Sequence, residues 1–215
     1  MTEVAASLGS DDTESRLLLR RAQLCVRELC LPLNMIDRHG ETLTSTGLRR
    51  ENDAEHSFLL ALAAAALAEH VDSELDTGLV ALYAIVHDLA ETLTGDNPVY
   101  EPIYTAEQKE VVDSLATAEL QRRFDVVSDR ITSLLAAYLR FEDAESRYVY
   151  GMDKIVPYLT ILELDRHPLR PDHSSYLATE AKARAKIARR YPKLLPLFDV
   201  VAEEVRSRPH FFTTD

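Results

Sequence analysis

His87 and Asp88 are adjacent in the largely apolar stretch Ala84–Glu91, with a second histidine, His56, upstream and a further carboxylate, Asp153, downstream. Imidazole and carboxylate suit divalent transition ions. Two neighbouring ligands joined by two from distant segments can enclose one ion and leave positions open for water and a substrate. Open positions point to chemistry rather than to a structural ion. A charged Asp88 in an apolar helix also needs a partner, because an unpaired buried carboxylate is costly. On a helix, neighbouring side chains point roughly 100° apart, so His87 and Asp88 can share an ion only if it lies over the edge between them. Glu91 follows His87 by about one helical turn and so shares its face, close to the ion yet free to bind water, which makes it the natural proton-transfer carboxylate. Asp96, just beyond Gly95, can approach from a loop to hold a second water or a substrate hydroxyl, or to protonate a leaving group.

These residues need a scaffold that gathers four segments, and the periodicity supplies helices. Leu17, Leu18, Ala22, Cys25, Val26 and Leu29 recur at helical spacing from Glu14 to Cys30, with Pro32 as a stop. Cys25 and Cys30, the two cysteines of the chain, lie five residues apart on this helix and should point away from each other. Neither a disulfide nor a cysteine-based metal site is suggested. Residues 33–51 break every periodicity and are expected to form a long loop leading into His56. Asn52, with Glu55 three places on, reads as an N-cap, and Phe58 to Leu67 as a buried helix with His56 in its first turns. Leu75 to Leu93 spaces its apolar residues at three and four, carries His87, Asp88 and Glu91 near its end, and stops at Gly95. Further helices are expected at about 105–124, 126–140, 143–165, 173–190 and 192–208, with Pro157 able to bend the third of these just after Asp153. No segment sustains period-two alternation. The expected fold is all-α, a bundle of about seven helices in a single domain over residues 13–210, after a disordered tail at 1–12. Within it the metal core covers about 50–165 and the C-terminal helices about 173–208.

Composition narrows the partners. A hydrophobic content of 46% is ample for one core. No apolar run reaches the length of a membrane span, and Met1–Ala6 lacks the basic and apolar regions of a signal peptide, so a cytoplasmic protein without membrane contact is expected. Acidic residues outnumber basic ones 36 to 24, for a net charge of −12. That balance argues against a nucleic-acid polymer, whose binding calls for basic surface. A small phosphorylated ligand stays compatible, since one or two arginines and a metal ion offset its charge locally. The basic run Lys182–Arg190 reads as a solvated helix face.

The ordered set Glu51-Asn-x-x-Glu-His56, His87-Asp-x-x-Glu-x-x-x-Gly-Asp96 and Asp153 resembles the HD-domain phosphohydrolases, and among them the YfbR-like 5′-deoxynucleotidases, over roughly residues 14–165. The resemblance implies one divalent metal ion (Mn, Co, Fe, Ni or Zn) held by His56, His87, Asp88 and Asp153. It further implies Glu91 and Asp96 as catalytic carboxylates, and a homodimer acting on nucleoside 5′-monophosphates. Such hydrolysis needs a nucleophilic water, neutralised phosphoryl oxygens and a protonated leaving alkoxide, which one Lewis acid and two carboxylates can supply. A basic clamp on the phosphate is expected from Arg38 first, or from Arg49 and Arg50. The resembled family follows its arginine with a tryptophan, whereas here His39 follows Arg38 and the chain has no tryptophan. His39 is a candidate to line the pocket. Two-metal members of the superfamily supply extra histidines downstream of the His-Asp pair, and none lies between His87 and His167, which favours one metal and hydrolysis.

Each residue taken singly has a blander explanation. A lone buried histidine is usually a satisfied core residue. Asp153 could pair with Lys154 or cap a turn, Glu91 could face solvent, and Asp96 could form an Asx turn after Gly95. The ordered set outweighs these for the ligands, for Glu91 and for Asp96. Two rival functions stand beside the nucleotidase. One is a nucleoside triphosphate hydrolase releasing triphosphate or pyrophosphate with the same ligands. The other is a helical regulatory or ligand-sensing protein that keeps the core for structure, against which the intact ligand set counts.

Overall fold

The computed structural model describes residues 3–97 and 102–213. Its helices run α1 (Glu3–Cys25), α2 (Leu31–Leu33), α3 (Asp53–Val71), α4 (Thr77–Val86), α5 (Glu91–Thr94), α6 (Ala106–Arg140), α7 (Ala144–Glu163), α8 (His173–Arg190) and α9 (Leu195–Arg206). Seven of them have ten residues or more, namely α1, α3, α4, α6, α7, α8 and α9. The expected all-α bundle is therefore the observed one. No helix among the described residues is long and apolar enough to cross a membrane.

The expected loop at 33–51 is a hairpin instead. Strands β1 (Asp37–Thr44) and β2 (Gly47–Asn52) pair antiparallel, with Thr44 opposite Gly47, Thr42 opposite Arg49 and Glu41 opposite Arg50. An irregularity between Asp37 and Glu41 precedes the last pair, Asp37 with Asn52. The turn is closed by Thr44, whose hydroxyl donates to the Gly47 carbonyl at 2.6 Å and accepts from the Thr46 N–H. The strands carry polar residues on both faces, so the apolar alternation that marks a half-buried strand is missing although the turn residues and β-branched threonines are present.

The first helix also differs from expectation. It begins at Glu3, inside the stretch whose composition suggested a disordered tail, and Pro32 does not stop it but sits in the first turn of α2. Between α1 and α2, residues Val26–Cys30 wind as a π-helix. That winding, with its i→i+5 spacing, brings Cys30 beside Cys25, and the Cys30 thiol is raised above its usual value by burial and by that neighbour. The two cysteines thus meet, where an α-helical register would separate them.

Helix α7 occupies the middle of the bundle and packs against α3, α4, α6, α8 and α9. Leu60 and Ala64 of α3, Val80 and Ala84 of α4, Tyr148, Met152 and Ile155 of α7, Ile187 of α8 and Phe198 of α9 form the fully buried centre. The buried Tyr148 hydroxyl donates to the Ala64 carbonyl at 3.0 Å, which ties α7 to α3. Starts are well specified: Asn52, Thr105 and Asp143 each close a capping box at the head of α3, α6 and α7. The two helices expected at about 105–124 and 126–140 form one element, α6, broken at Ser128 (φ −166°, ψ 105°), whose hydroxyl accepts from the Ile131 N–H as an internal cap.

Candidate metal centre

His56 lies in the first turn of α3, fixed there by the Asn52 capping box, and is 1% exposed. Its Nε2 is 3.0 Å from Asp153 Oδ1 on α7, and its Nδ1 is 3.4 Å from Glu51 Oε1 at the end of β2. Glu51 can take that position because Gly40 faces it across the hairpin, where a Cβ would stand 2.7 Å from Glu51 Oε1. His87 closes α4 as its C-cap residue, and its Nδ1–H donates to the Ala84 carbonyl at 2.8 Å. Both imidazoles are thereby oriented through Nδ1 and turn Nε2 inward, the outer-shell arrangement that metal-ligating histidines use.

The donor set fits a divalent ion. His87 Nε2 is 2.9 Å from Asp88 Oδ2 and 3.8 Å from Asp153 Oδ1, yet it is buried and has no hydrogen bond of acceptable geometry. A buried imidazole nitrogen left without a hydrogen-bond partner beside two carboxylates marks a place for a cation between them. Ligand atoms of His56, His87 and Asp88 all lie within 4.8 Å of one another, and Asp153 approaches both imidazoles. The structure therefore brings together all four residues that the sequence singles out as ligands. Inside α7, Pro157 has no N–H to offer the Asp153 carbonyl one turn back. Asp153 also pairs with Lys154 through Oδ2 at 2.5 Å, the contact that its blander reading expects, while Oδ1 faces the two imidazoles.

Helix α4 ends at Val86 rather than continuing to Leu93. From there the chain tightens into i→i+3 hydrogen bonds, Leu89 N–H to Val86, Glu91 N–H to Asp88, Thr92 N–H to Leu89 and Leu93 N–H to Ala90. In such a winding residues three apart eclipse, so Glu91 sits on the face of Asp88 rather than on that of His87. Its carboxylate accordingly groups with those of Asp88 and Asp53, whose oxygens lie within 4.8 Å of it. Gly95 then ends α5 at φ 73°, ψ 166°, a conformation that favours glycine, and the chain turns to Asp96.

Arg38 on β1 enters the centre, while Arg49 and Arg50 do not. Arg38 Nη1 donates to Asp88 Oδ2 at 2.9 Å and to Asp53 Oδ1 at 3.1 Å, with Nε 3.6 Å from Glu51. Arg49 is committed to Glu55 on the outer side of β2, and the exposed Arg50 faces Glu41 across the hairpin. His39 follows Arg38 with its Nδ1 buried and unpaired, and among the described residues no hydrogen bond joins it to the ligands. Asp96 is half-buried and lies close enough to act electrostatically on Arg38, Asp53 and Glu91. Sequence reasoning missed Asp53 and Lys109. Asp53 is fully buried directly before the His56 turn, and Lys109 of α6 reaches Glu91 Oε1 at 3.1 Å. A charged residue at the buried N1 position of an apolar helix was the available signal for the first.

The electrostatics divide the carboxylates into two kinds. Burial opposes ionisation of Asp88, but His87 and Arg38 hold its carboxyl well below the usual range. Lys154 and the two histidines do the same for Asp153 against its burial. In return, and against burial, Asp88 and Asp153 push His87 up to about 10, and hydrogen bonds to Asp153 and Glu51 raise His56. The field that holds a proton on each imidazole is the field that would hold a divalent cation in its stead. Burial, followed by the charge on Asp88, drives the other two carboxyls the opposite way, Asp53 to about 6 despite Arg38 and Glu91 to about 9 despite Lys109.

The HD domain family model matches residues 33–195. Over 158 residues the chain is 25% identical to the 5′-deoxynucleotidase YfbR of Shigella dysenteriae serotype 1, covering 70% of this chain and 77% of that protein. It is 26% identical, again over 158 residues, to a 5′-deoxynucleotidase of Erwinia tasmaniensis, covering 70% and 78%. Among solved structures it is similar to a predicted metal-dependent phosphohydrolase from Magnetospirillum magnetotacticum MS-1, with a TM-score of 0.71 at 27% identity over 91% of this chain and 96% of that one. A conserved hypothetical protein from Pyrococcus furiosus, 23% identical with a TM-score of 0.55, shares the fold over 83% of this chain and 96% of its own.

Proposed function

This chain belongs to the HD domain family, and we propose that it is a metal-dependent phosphohydrolase that removes the 5′-phosphate from (deoxy)nucleoside monophosphates. The observation that carries the reading is the single guanidinium of Arg38 bonded to Asp88 at the edge of the His56, His87, Asp88 and Asp153 group. One cation on the hairpin side of the ligands suits one phosphoryl group. The names of the relatives, 5′-deoxynucleotidases at 25–26% identity, support the same substrate class.

In this reading His56, His87, Asp88 and Asp153 hold one divalent ion, with Glu51 and the Ala84 carbonyl orienting the imidazoles. The ion supplies Lewis acidity, raising the reactivity of water and neutralising charge on the phosphoryl group. Arg38 uses Nη1 for both Asp53 and Asp88, and its Nη2, used by neither, is directed to a phosphoryl oxygen. Glu91 takes the proton of the attacking water as the new P–O bond forms. Burial and Asp88 raise its carboxyl to about 9, and a divalent cation held nearby would offset that rise and favour the ionised form that can accept the proton. As the bond from phosphorus to O5′ breaks, Asp96 supplies the proton that the alkoxide needs. We extend the proposal to a homodimer with the nucleotide as its only other partner.

A panel of nucleoside mono-, di- and triphosphates with Mn²⁺, Co²⁺ or Zn²⁺, read for free phosphate against pyrophosphate and triphosphate, tests the reading. Phosphate release from monophosphates is expected. Release of pyrophosphate or triphosphate alone, with monophosphates inert, would overturn it, and light scattering checks the dimer.

A further inference from the structure

Three carboxylates, Asp53, Asp88 and Glu91, have oxygens within 4.8 Å of one another, and all three residues are at least nine-tenths buried. Two cations flank them from opposite elements. Arg38 on the hairpin side bonds Asp53 and Asp88. On the α6 side, Lys109 Nζ donates to Glu91 Oε1 at 3.1 Å and to Asp113 Oδ1, one turn further along the helix, at 2.8 Å. The three side chains of this second group are largely buried, at 21%, 10% and 17% exposure for Lys109, Glu91 and Asp113. The other oxygen of Glu91, Oε2, is buried with no hydrogen-bond partner.

The arrangement poses a choice for Glu91. Its carboxylate stands close enough to Asp88 to join the ligand set, because the i→i+3 winding puts the two on one face. A ligated carboxylate cannot accept a proton from water as readily as a free one, since the ion competes for the same lone pairs. Lys109 is the one cation bonded to Glu91 among the described residues, and Asp113 fixes Lys109 in turn, through the i,i+4 geometry of α6. We propose that Lys109, braced by Asp113, is a positioning residue that holds Glu91 by Oε1 off the metal and leaves Oε2 aimed at the place of the attacking water. The inference rests on the proposed role of Glu91 as the proton-transfer carboxylate.

The test uses the full-length protein loaded with Mn²⁺ and compares Lys109→Met, Lys109→Arg, Asp113→Asn and Glu91→Gln. In Lys109→Met, Glu91 is released onto the ion. Loss of ion to excess chelator should then be slower than in the parent. The kcat should fall by about 10- to 100-fold, less than the roughly 10²- to 10⁴-fold that removing a general acid–base group itself costs, with KM changing little. Lys109→Arg should recover most of kcat, and the double variant Lys109→Met/Glu91→Gln should lose ion as fast as the parent. Asp113→Asn, the milder change, should move both readouts in the same direction and decides the matter if Lys109→Met does not fold. Faster or unchanged ion loss in Lys109→Met, or an unchanged kcat, would overturn the brace. If Glu91→Gln itself keeps full turnover, the role of Glu91 fails instead, and the ion-release kinetics still report whether Lys109 restrains it.

Discussion

Glu91→Gln separates proton transfer from metal binding. Glu91 is 8% exposed, its Oε1 accepts from Lys109, and its Oε2 has no partner. Glutamine has the same shape, and its amide oxygen can still accept from Lys109 Nζ, so the change removes the carboxylate proposed to take the proton while disturbing little else. Positioned general acids and bases contribute about 10²- to 10⁴-fold to rate, which at 1.36 kcal/mol per factor of ten is ~3–5 kcal/mol of barrier. We expect kcat for a nucleoside 5′-monophosphate to fall within that range, with bound metal, counted by elemental analysis after gel filtration, equal to that of the parent. His87→Ala is the control: it removes the inward Nε2 and should lose the ion together with activity. Metal loss in Glu91→Gln equal to that in His87→Ala would make Glu91 a ligand and refute the assignment, and an unchanged kcat would move proton transfer elsewhere.

Arg38→Ala is expected to raise KM for the monophosphate about 10- to 100-fold, as loss of a charge-assisted bond of ~1.5–3 kcal/mol would, with a smaller change in kcat; a KM within a factor of two would remove Arg38 from the phosphate site. His167 supplies a pH dependence that involves no metal ligand. It is 4% exposed, its Nδ1 accepts from the Leu169 N–H at 3.3 Å, and burial lowers it to about 4 from 6.5. The unfolded chain therefore takes up a proton that the folded one refuses, so this part of the stability is complete above pH 6.5 and is lost as pH falls from 6.5 to about 4. The loss is ~3 kcal/mol over that window. Urea midpoints of the parent and His167→Gln should converge as pH drops from 7 to 4.5, and parallel curves would show that His167 contributes no such slope.

Much of the centre was legible because its signals are local and chemically costly. His56, His87 and Asp88 stand in apolar helical sequence where a buried polar group demands a reason, and Asn52 with Glu55 announces the turn that carries His56. The helices α6 to α8 follow from their caps and apolar spacing, and α9, which has no side-chain cap, from its spacing alone. The hairpin was not legible, since Arg38, Glu41, Arg49 and Arg50 make both its faces polar and leave no period to read. With it went the distinction between the arginines. Whether an arginine in a presumed loop reaches a site 15 residues on, as Arg38 reaches Asp53, depends on strand register and on Gly40 making room for Glu51. The meeting of Cys25 and Cys30 escaped for a related reason: it follows from a π-winding that no periodicity marks.

The winding after Val86 resolves a difficulty that an unbroken helix would create. Adjacent residues on an α-helix diverge by roughly 100°, and a third carboxylate placed four residues after the histidine would crowd the imidazole rather than the aspartate. By ending α4 at Val86 and passing into i→i+3 turns, the chain makes His87 a terminal residue whose Nδ1 answers the Ala84 carbonyl, and puts Asp88 and Glu91 one above the other. That stacking is useful only if the two carboxylates are kept chemically distinct. The surroundings do so: His87 and Arg38 hold Asp88 ionised, while burial and the charge of Asp88 itself raise Glu91. In the proposed function, ligand and proton acceptor thus come from one short segment, separated by what each faces. Straightening residues 87–90 into regular α-helix would return Glu91 to the side of His87 and remove that separation, even with every residue of the motif still in place.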